Sequence, residues 1–298
     1  MKDDKRANSS VEKTIPKVYI EPCAGLGNRL NVLWGALYWC KELKGQVEII
    51  LLWKREASCN ASFGRLFQEI PELKMITFYQ MGLRPPYSLR SLMGMNTENR
   101  IRKNCDQLFE PDEMARIMNA DDGEDKLRKL MTSGTNVFIK STCGLCTRAH
   151  QREVLHLLKP SEEALGTVRS IMGNYTEDRL VGIHIRRTDN QRATLESPTT
   201  LFQEKMRELK KENPYVAFYL ATDDATVEEL IGKEFVLLPH ITCAKKVNRN
   251  TENGILDAYV DMLCLGSCSV IYGSSGSTFS RMAGFLGGKD VEILTTKD

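Results

Sequence analysis

Six consecutive residues, His184-Ile185-Arg186-Arg187-Thr188-Asp189, follow an apolar run at 180–183 that reads as a strand. Side chains alternate across a strand, so His184 and Arg186 share one face and Arg187 points the other way. An arginine at the end of a buried strand is costly unless an anion meets it. One such anion is a diphosphate, which a guanidinium grips as a fork. The other is a neighbouring carboxylate, and Asp189 or Asp224 would pair Arg187 in that way. His184 is either a satisfied core histidine or a neighbour of the same ligand.

Four further clusters have chemistry of this kind. Gly25-Leu26-Gly27-Asn28-Arg29 lies between a strand at 17–21 and helical spacing from Leu30 onward. Glycines there let backbone amides approach a phosphate, and Asn28 and Arg29 add donors for an oxyanion or a sugar hydroxyl. A dinucleotide fingerprint would need a third small residue, but position 30 is Leu, and the next strand ends in Trp53-Lys54 rather than an acid. Asp223-Asp224 closes a later strand; alternation sends the two carboxylates apart, and one adjacent pair supplies too few oxygens for a divalent metal. Asp257 and Asp261 are one helical turn apart. A single carboxylate can accept from both N1–H and the N2 amine of guanine, a donor pair that adenine lacks, so Asp257 is a candidate for base selection and Asp261 is expected to be solvent-exposed. Finally Ser277-Thr278 opens the last helix after Gly273-Ser274-Ser275-Gly276, with Arg281 one turn on. Hydroxyls and free amides there suit a phosphate, or Ser277 simply caps the helix.

These clusters need a scaffold, and the last third of the chain supplies one in outline. Strands are expected at 180–185, 216–221, 235–238, 269–272 and 291–294, with helices near 200–211, 226–231, 256–265 and from Thr278 through Leu286. Strand alternating with helix implies parallel sheets covered on both faces, with ligands beyond the carboxyl ends of the strands. Three of the polar clusters, from His184 to Asp189, Thr222 to Asp224 and Ser274 to Ser277, fall at such ends. Earlier in the chain, strands are expected at 17–21, 47–53 and 136–141, and a helix capped by Ser161. Residues 54–135 suggest only helices near 63–70 and 112–119, joined by long connections.

Composition narrows the function classes. Among 298 residues, 41 basic side chains against 39 acidic ones leave a formal charge of +2, without the basic excess of an obligate nucleic-acid binder. The 42% hydrophobic and 27% charged fractions are those of a globular chain. No run of apolar residues is long enough to span a bilayer. Residues 1–15 read as a polar tail without the apolar core of a secretory signal. Nine cysteines, an odd and scattered count, suggest a reducing, cytoplasmic setting. The alternative is a trimmed lumenal enzyme, for which Asn60-Ala-Ser62 and Asn174-Tyr-Thr176 would be glycosylation acceptors. Cys143-Gly-Leu-Cys146 with Cys264 and Cys268 could form a zinc site, or be small buried hydrophobes and a turn.

Taken together, the motifs resemble the fucosyltransferase superfamily that contains the α1,6-fucosyltransferases and the protein O-fucosyltransferases. The run from His184 to Asp189 is similar to its first donor motif, and Tyr219-Leu220-Ala221-Thr222-Asp223-Asp224 to its second. Thr251-Glu252-Asn253 with Ile255-Leu256-Asp257, then Ser277-Thr278-Phe279-Ser280-Arg281, resembles the third. Order and spacing agree over residues 178–286, and Gly25 to Arg29 resembles the glycine-asparagine loop near the start of many members. The resemblance implies an α/β GT-B fold: two Rossmann-like domains, an acceptor side at 16–165 and a donor domain at 166–298, with the site in the cleft. It implies transfer of fucose from GDP-β-L-fucose to a glycan or other hydroxyl, with inversion and without a metal. Arg186 would bind the β-phosphate, Asp257 the guanine, Ser277 and Thr278 the diphosphate, with His184 beside the nucleotide and Asp223 and Asp224 at positions important for activity. The α1,6 enzymes carry a lysine after the motif aspartate and a glutamate a few residues on. Here Asn190 follows Asp189 and the nearest glutamate is Glu196, so Glu196 and Glu21, just before the glycine loop, are the candidate bases. Another GDP-sugar as donor, or a non-catalytic nucleotide binder on the same scaffold, are the alternative functions.

Overall fold

Central strands rich in Ile, Leu and Val and buried on both faces, flanked by more exposed edge strands, form two all-parallel sheets in the computed structural model, which describes residues 15–80, 88–173, 175, 179–188, 190–239 and 250–296. The first sheet contains β1 (Lys17–Pro22), β2 (Glu48–Arg55), β3 (Lys74–Tyr79), β4 (Gln107–Phe109) and β5 (Val137–Ser141), in the order β3-β2-β1-β5-β4. The second contains β6 (Leu180–Ile185), β7 (Ala217–Thr222), β8 (Val270–Ser274) and β9 (Val291–Leu294), in the order β7-β6-β8-β9.

Helices cover these sheets. On the first half they are α1 (Leu26–Glu42), α2 (Phe63–Leu66), α3 (Leu89–Lys103), α4 (Pro111–Met118), α5 (Gly123–Met131), α6 (Arg148–Val154) and α7 (Glu162–Met172). On the second they are α8 (Gln191–Glu196), α9 (Thr199–Glu212), α10 (Ala225–Glu234), α11 (Glu252–Gly266) and α12 (Thr278–Gly287). Ser161 caps α7, its hydroxyl accepting from the Ala164 amide at 3.2 Å.

One apolar core runs through both halves. Helix α1 is buried on nearly every side, and its Trp34 meets Phe285 of α12 edge-on, ring centroids 4.9 Å apart. Phe67, just after α2, meets Tyr259 of α11 in the same way at 5.1 Å. Helix α7 also packs on α11, so the helix at the expected 165/166 boundary touches the second half. Helices α11 and α12 approach each other closely enough that a Cβ on Gly287 would meet the Gly266 carbonyl at 2.1 Å. Only glycine permits that contact, which sets the angle between the two helices beneath the cleft.

The expected elements need four corrections. The first helix begins at Leu26 rather than Leu30, so Gly27 and Asn28 lie in its first turn and Gly25 is its cap. The helix expected over 63–70 is one turn long, because Phe67 leaves it to form a bridge with Pro160. Residues 235–238 contribute one bridge, Phe218 to Leu237, rather than a strand. The region 54–135, expected to be mostly connection, contains β3, α3, β4, α4 and α5. Strands β3 and β4 are the two edges of their sheet. An edge strand buries less of its surface, so its apolar pattern is weak in sequence.

Candidate active site

In a parallel sheet all strands end on the same edge, and the register places His184 of β6 between Ala221 of β7 and Gly273 of β8. The segments leaving these three strands therefore meet. The Arg186 amide donates to Ser274 Oγ at 3.0 Å, and that hydroxyl donates to the His184 carbonyl at 3.3 Å. Asp223, just past β7, pairs with Arg186 Nη1 at 3.0 Å. It also accepts from the Arg187 amide at 2.8 Å and from Thr188 Oγ1 at 2.7 Å. One carboxylate thus fixes both the backbone of the 186–188 turn and the direction of the Arg186 side chain.

Arg187 turns the other way, as alternation requires, but not into an ion pair with Asp224. Its guanidinium donates to the Arg186 carbonyl at 2.7 Å, and to the Ser197 carbonyl and Thr199 Oγ1, both at 2.9 Å. Burial pulls its pKa down, against the fields of Asp223 and Asp224. Asp224 caps α10, accepting from the Thr226 amide at 2.8 Å and the Thr226 hydroxyl at 2.6 Å. The two adjacent aspartates diverge, one toward Arg186 and one into a helix cap. Asp189 lies outside the described residues.

The third wall is the loop from β8 into α12. The Ser275 amide donates to Ser197 Oγ at 2.8 Å and its hydroxyl to Glu196, while Gly276 takes a positive φ of 66°. Ser277 is buried at the cap position, yet its side chain makes no capping bond. The first amides of α12 thus open on the cleft without an internal acceptor. Phe279 lines the cleft and stacks on the buried His184 ring at 4.9 Å, so His184 supports the wall from behind.

The fourth wall comes from the other half of the molecule. Gly25, Leu26, Gly27 and Asn28 face Arg186, Asn190 and the stretch from Gly276 to Phe279 across a cleft of about 360 Å³, closed by Ser58, Ile255 and Ala258. Ala24 has a positive φ of 64°, a conformation that costs a side-chain-bearing residue energy. Arg29 holds it there. Its side chain is fully buried and donates to the Ala24 carbonyl at 2.9 Å, the Lys54 carbonyl at 2.6 Å and Glu56 at 2.6 Å. Arg29 is therefore a brace for the glycine turn and does not line the cleft.

Neither glutamate considered as a base lines the cleft. Glu21 is fully buried, with Lys54 Nζ at 2.6 Å and Lys140 Nζ at 3.1 Å. Burial pulls the Lys54 ammonium down, but the charges of Glu21, Glu56 and Glu98 outweigh it and hold its pKa above the ordinary lysine value. Glu196 is buried against Arg192 at 2.9 Å and Ser275. Asp257 is half-buried on α11, beside Ala258. Asp261, expected in solvent, is instead 3% exposed and accepts the Tyr219 hydroxyl, because its face of α11 packs on β7. Arg281 is exposed and is not among the residues lining the cleft, whereas Thr278 is exposed and lines it.

The cysteines form no metal centre among the described residues, where eight are free thiols. The Cys143 to Cys146 segment is a packing turn, with the Leu145 carbonyl accepting the Trp39 indole N–H at 2.7 Å. Among the described residues no helix is long and apolar enough to cross a membrane.

Sequence reasoning missed Ser58, Asn190, Ile255, Ala258 and Phe279 as wall residues. Asn190 had a readable signal. It stands three residues before Ala193, whose amide its side chain accepts at 3.0 Å as the cap of α8. Ser58 had none, since its place follows from Arg29 and Ala24.

No family model and no curated protein sequence matches this chain. Solved structures do. NodZ alpha-1,6-fucosyltransferase soaked with GDP-fucose aligns with 18% identity over 92% of this chain and 93% of that one, at a TM-score of 0.57. The fucosyltransferase NodZ from Bradyrhizobium aligns at 0.56 over 92% and 94%, also with 18% identity. POFUT1 in complex with GDP-fucose aligns with 12% identity over 94% of this chain and 97% of that one, at 0.54. The chain has the α/β fold of these GT-B fucosyltransferases over 92–94% of its length, with two parallel sheets facing one cleft.

Proposed function

We propose that this protein is a glycosyltransferase that moves L-fucose from GDP-β-L-fucose to a hydroxyl of a glycan acceptor, with inversion and without a divalent metal. The observation that carries this reading is the placement of Arg186 across from Gly25–Asn28 and beside the uncapped start of α12. A nucleoside diphosphate leaving group gathers negative charge as the sugar–oxygen bond breaks. A guanidinium fixed by Asp223, together with helix amides and the Ser277 hydroxyl, can neutralise that charge in advance of reaction. Similarly folded enzymes crystallised with GDP-fucose support the choice of donor.

In this reading Arg186 is the principal catalytic residue, and residues 166–298 hold the donor. Asp257 on α11 takes guanine, and residues 16–165 present the acceptor. Neither Glu21 nor Glu196 lines the cleft among the described residues, so neither is assigned as the base. The acceptor oxygen attacks the anomeric carbon as its bond to the diphosphate breaks, Arg186 takes up the charge on the departing GDP, and the acceptor proton passes to solvent. The same observation favours a second reading, a non-catalytic binder of GDP-sugars on this scaffold.

One titration series tests both. GDP is expected to bind in the presence of EDTA, and GDP-fucose to be consumed with a glycan array as acceptor source. Turnover that stops on chelation overturns the metal-free reading. GDP-fucose binding without transfer or hydrolysis selects the binder.

A further inference from the structure

A second cavity, of about 400 Å³, opens beyond the carboxyl ends of β2 and β3. That volume lies within the about 300–1,000 Å³ typical of small-molecule sites. Its walls include Trp53, Arg55, Tyr79 and Arg90, and no acidic residue. Arg90 Cζ lies 4.7 Å and Arg55 Cζ 5.9 Å from the centroid of the Tyr79 ring. A guanidinium resting on an aromatic ring can still offer its N–H edge to a planar or tetrahedral anion. Arg55 directs Nε to Asn60 Oδ1 at 3.2 Å and one Nη to the Asn60 carbonyl at 3.5 Å, so Arg90 is the principal anion donor and Arg55 adds its charge.

The counter-charge in this cavity is small. Arg55 approaches Glu252 at 3.6 Å, but that carboxylate already accepts the Ser62 amide at 2.9 Å and the Ser62 hydroxyl. Arg90 pairs with no carboxylate among the described residues. The cavity is also held open by a rigid contact. Gly94 of α3 rests on β3 so closely that a Cβ there would meet the Tyr79 carbonyl at 2.1 Å.

Its position relates it to the cleft described above. Glu252, which touches Arg55 and Ser62 of this cavity, is one helical turn from Ile255, which lines the cleft. That turn is about 5 Å along the axis. We infer that this cavity is an acceptor subsite for an anionic saccharide, whose carboxylate or sulfate is held by Arg55 and Arg90 while a neighbouring hydroxyl enters the donor cleft. The inference rests on the proposed transfer reaction and specifies the class of its second substrate.

Three probes test it by calorimetry: a glucuronic-acid-terminated disaccharide, 6-O-sulfated N-acetyllactosamine and neutral N-acetyllactosamine. At least one anionic probe is expected to bind, and about tenfold or more tightly than the neutral one, a difference of about 1.4 kcal/mol. Arg90→Ala should abolish that preference, and Arg90→Lys should keep part of it, since charge remains without the fork. The carboxylate and sulfate arms identify which anion is preferred. Equal binding of neutral and anionic probes, no binding of any probe, or an anionic preference undiminished in Arg90→Ala with an unchanged melting temperature overturns the inference. GDP titrated into the same samples reports on the donor site separately. Retained GDP binding with no anionic preference sinks only the subsite.

Discussion

Asp223 holds Arg186 at 3.0 Å and, through its other oxygen, the backbone amide of Arg187 at 2.8 Å. One carboxylate therefore joins the end of β7 to the turn after β6 and aims a guanidinium across the cleft. Pairing with Asp223 offsets the cost of desolvating Arg186. The same carboxylate sets the orientation on which charge neutralisation depends.

Arg186→Ala should lower kcat by about 10²–10³-fold, the usual loss when one stabilising donor leaves a reaction centre. Circular dichroism should be unchanged, since the side chain is at the cleft and not in the core. Turnover close to that of the parent would remove Arg186 from the mechanism.

Asp223→Asn keeps the shape and the acceptor for the Arg187 amide but loses the charge that aims Arg186. We expect kcat to fall by about 10–100-fold, as for a slightly misplaced catalytic group. The KM for GDP-fucose should change less than kcat. A change confined to KM would make Asp223 a binding residue only.

Glu21→Gln separates a base from a buried counter-ion. The side chain is fully buried between Lys54 and Lys140, and breaking such a pair costs about 3–5 kcal/mol. Urea denaturation should show that loss, while kcat at a permissive temperature stays within a few-fold of the parent. A stable Glu21→Gln protein without turnover would return Glu21 to the role of base.

Asp257→Asn should weaken GDP binding and leave ADP binding nearly unchanged, because only guanine offers the paired donors that a carboxylate accepts. About 10²-fold is expected for loss of a site built to meet such donors. If competition titrations show equal losses for GDP and ADP, the base is read elsewhere.

Glu252 predicts a pH dependence of stability. Burial pushes its carboxyl up, but the Ser62 hydroxyl and amide and the Arg55 and Arg65 charges outweigh that and hold it below the ordinary 4.5. A depressed carboxyl contributes stability that is fully present above the unfolded value and is lost as pH falls through the lower folded value. Parent and Glu252→Gln should therefore differ in urea midpoint near neutrality and converge below about pH 4.5. A gap that stays constant into acid would show that the carboxylate charge contributes nothing.

What sequence alone determined is local and repetitive. The apolar run at 180–183 before His184, and the helical spacing after Leu30, state which faces must be buried, and that suffices for parallel strands alternating with helices. The divergence of Asp223 and Asp224 follows from strand alternation and is found in the structure. The tertiary structure decided which polar groups meet. Arg29 and Glu21 look like cleft residues beside the glycine turn, yet both are buried because Lys54 and Glu56, at the end of a strand that pairs with β1, lie within reach. Asp261 has the same spacing to Asp257 as an exposed pair would, and the hydroxyl of Tyr219, 42 residues earlier, helps make its burial tolerable. Strands β3 and β4 were illegible for a related reason: an edge strand takes its partner from the sheet, so little of its own pattern announces it. Periodicity reports how much of a segment is covered; the identity of the neighbour that covers it, or pairs with its charge, comes only from chain that is distant in sequence.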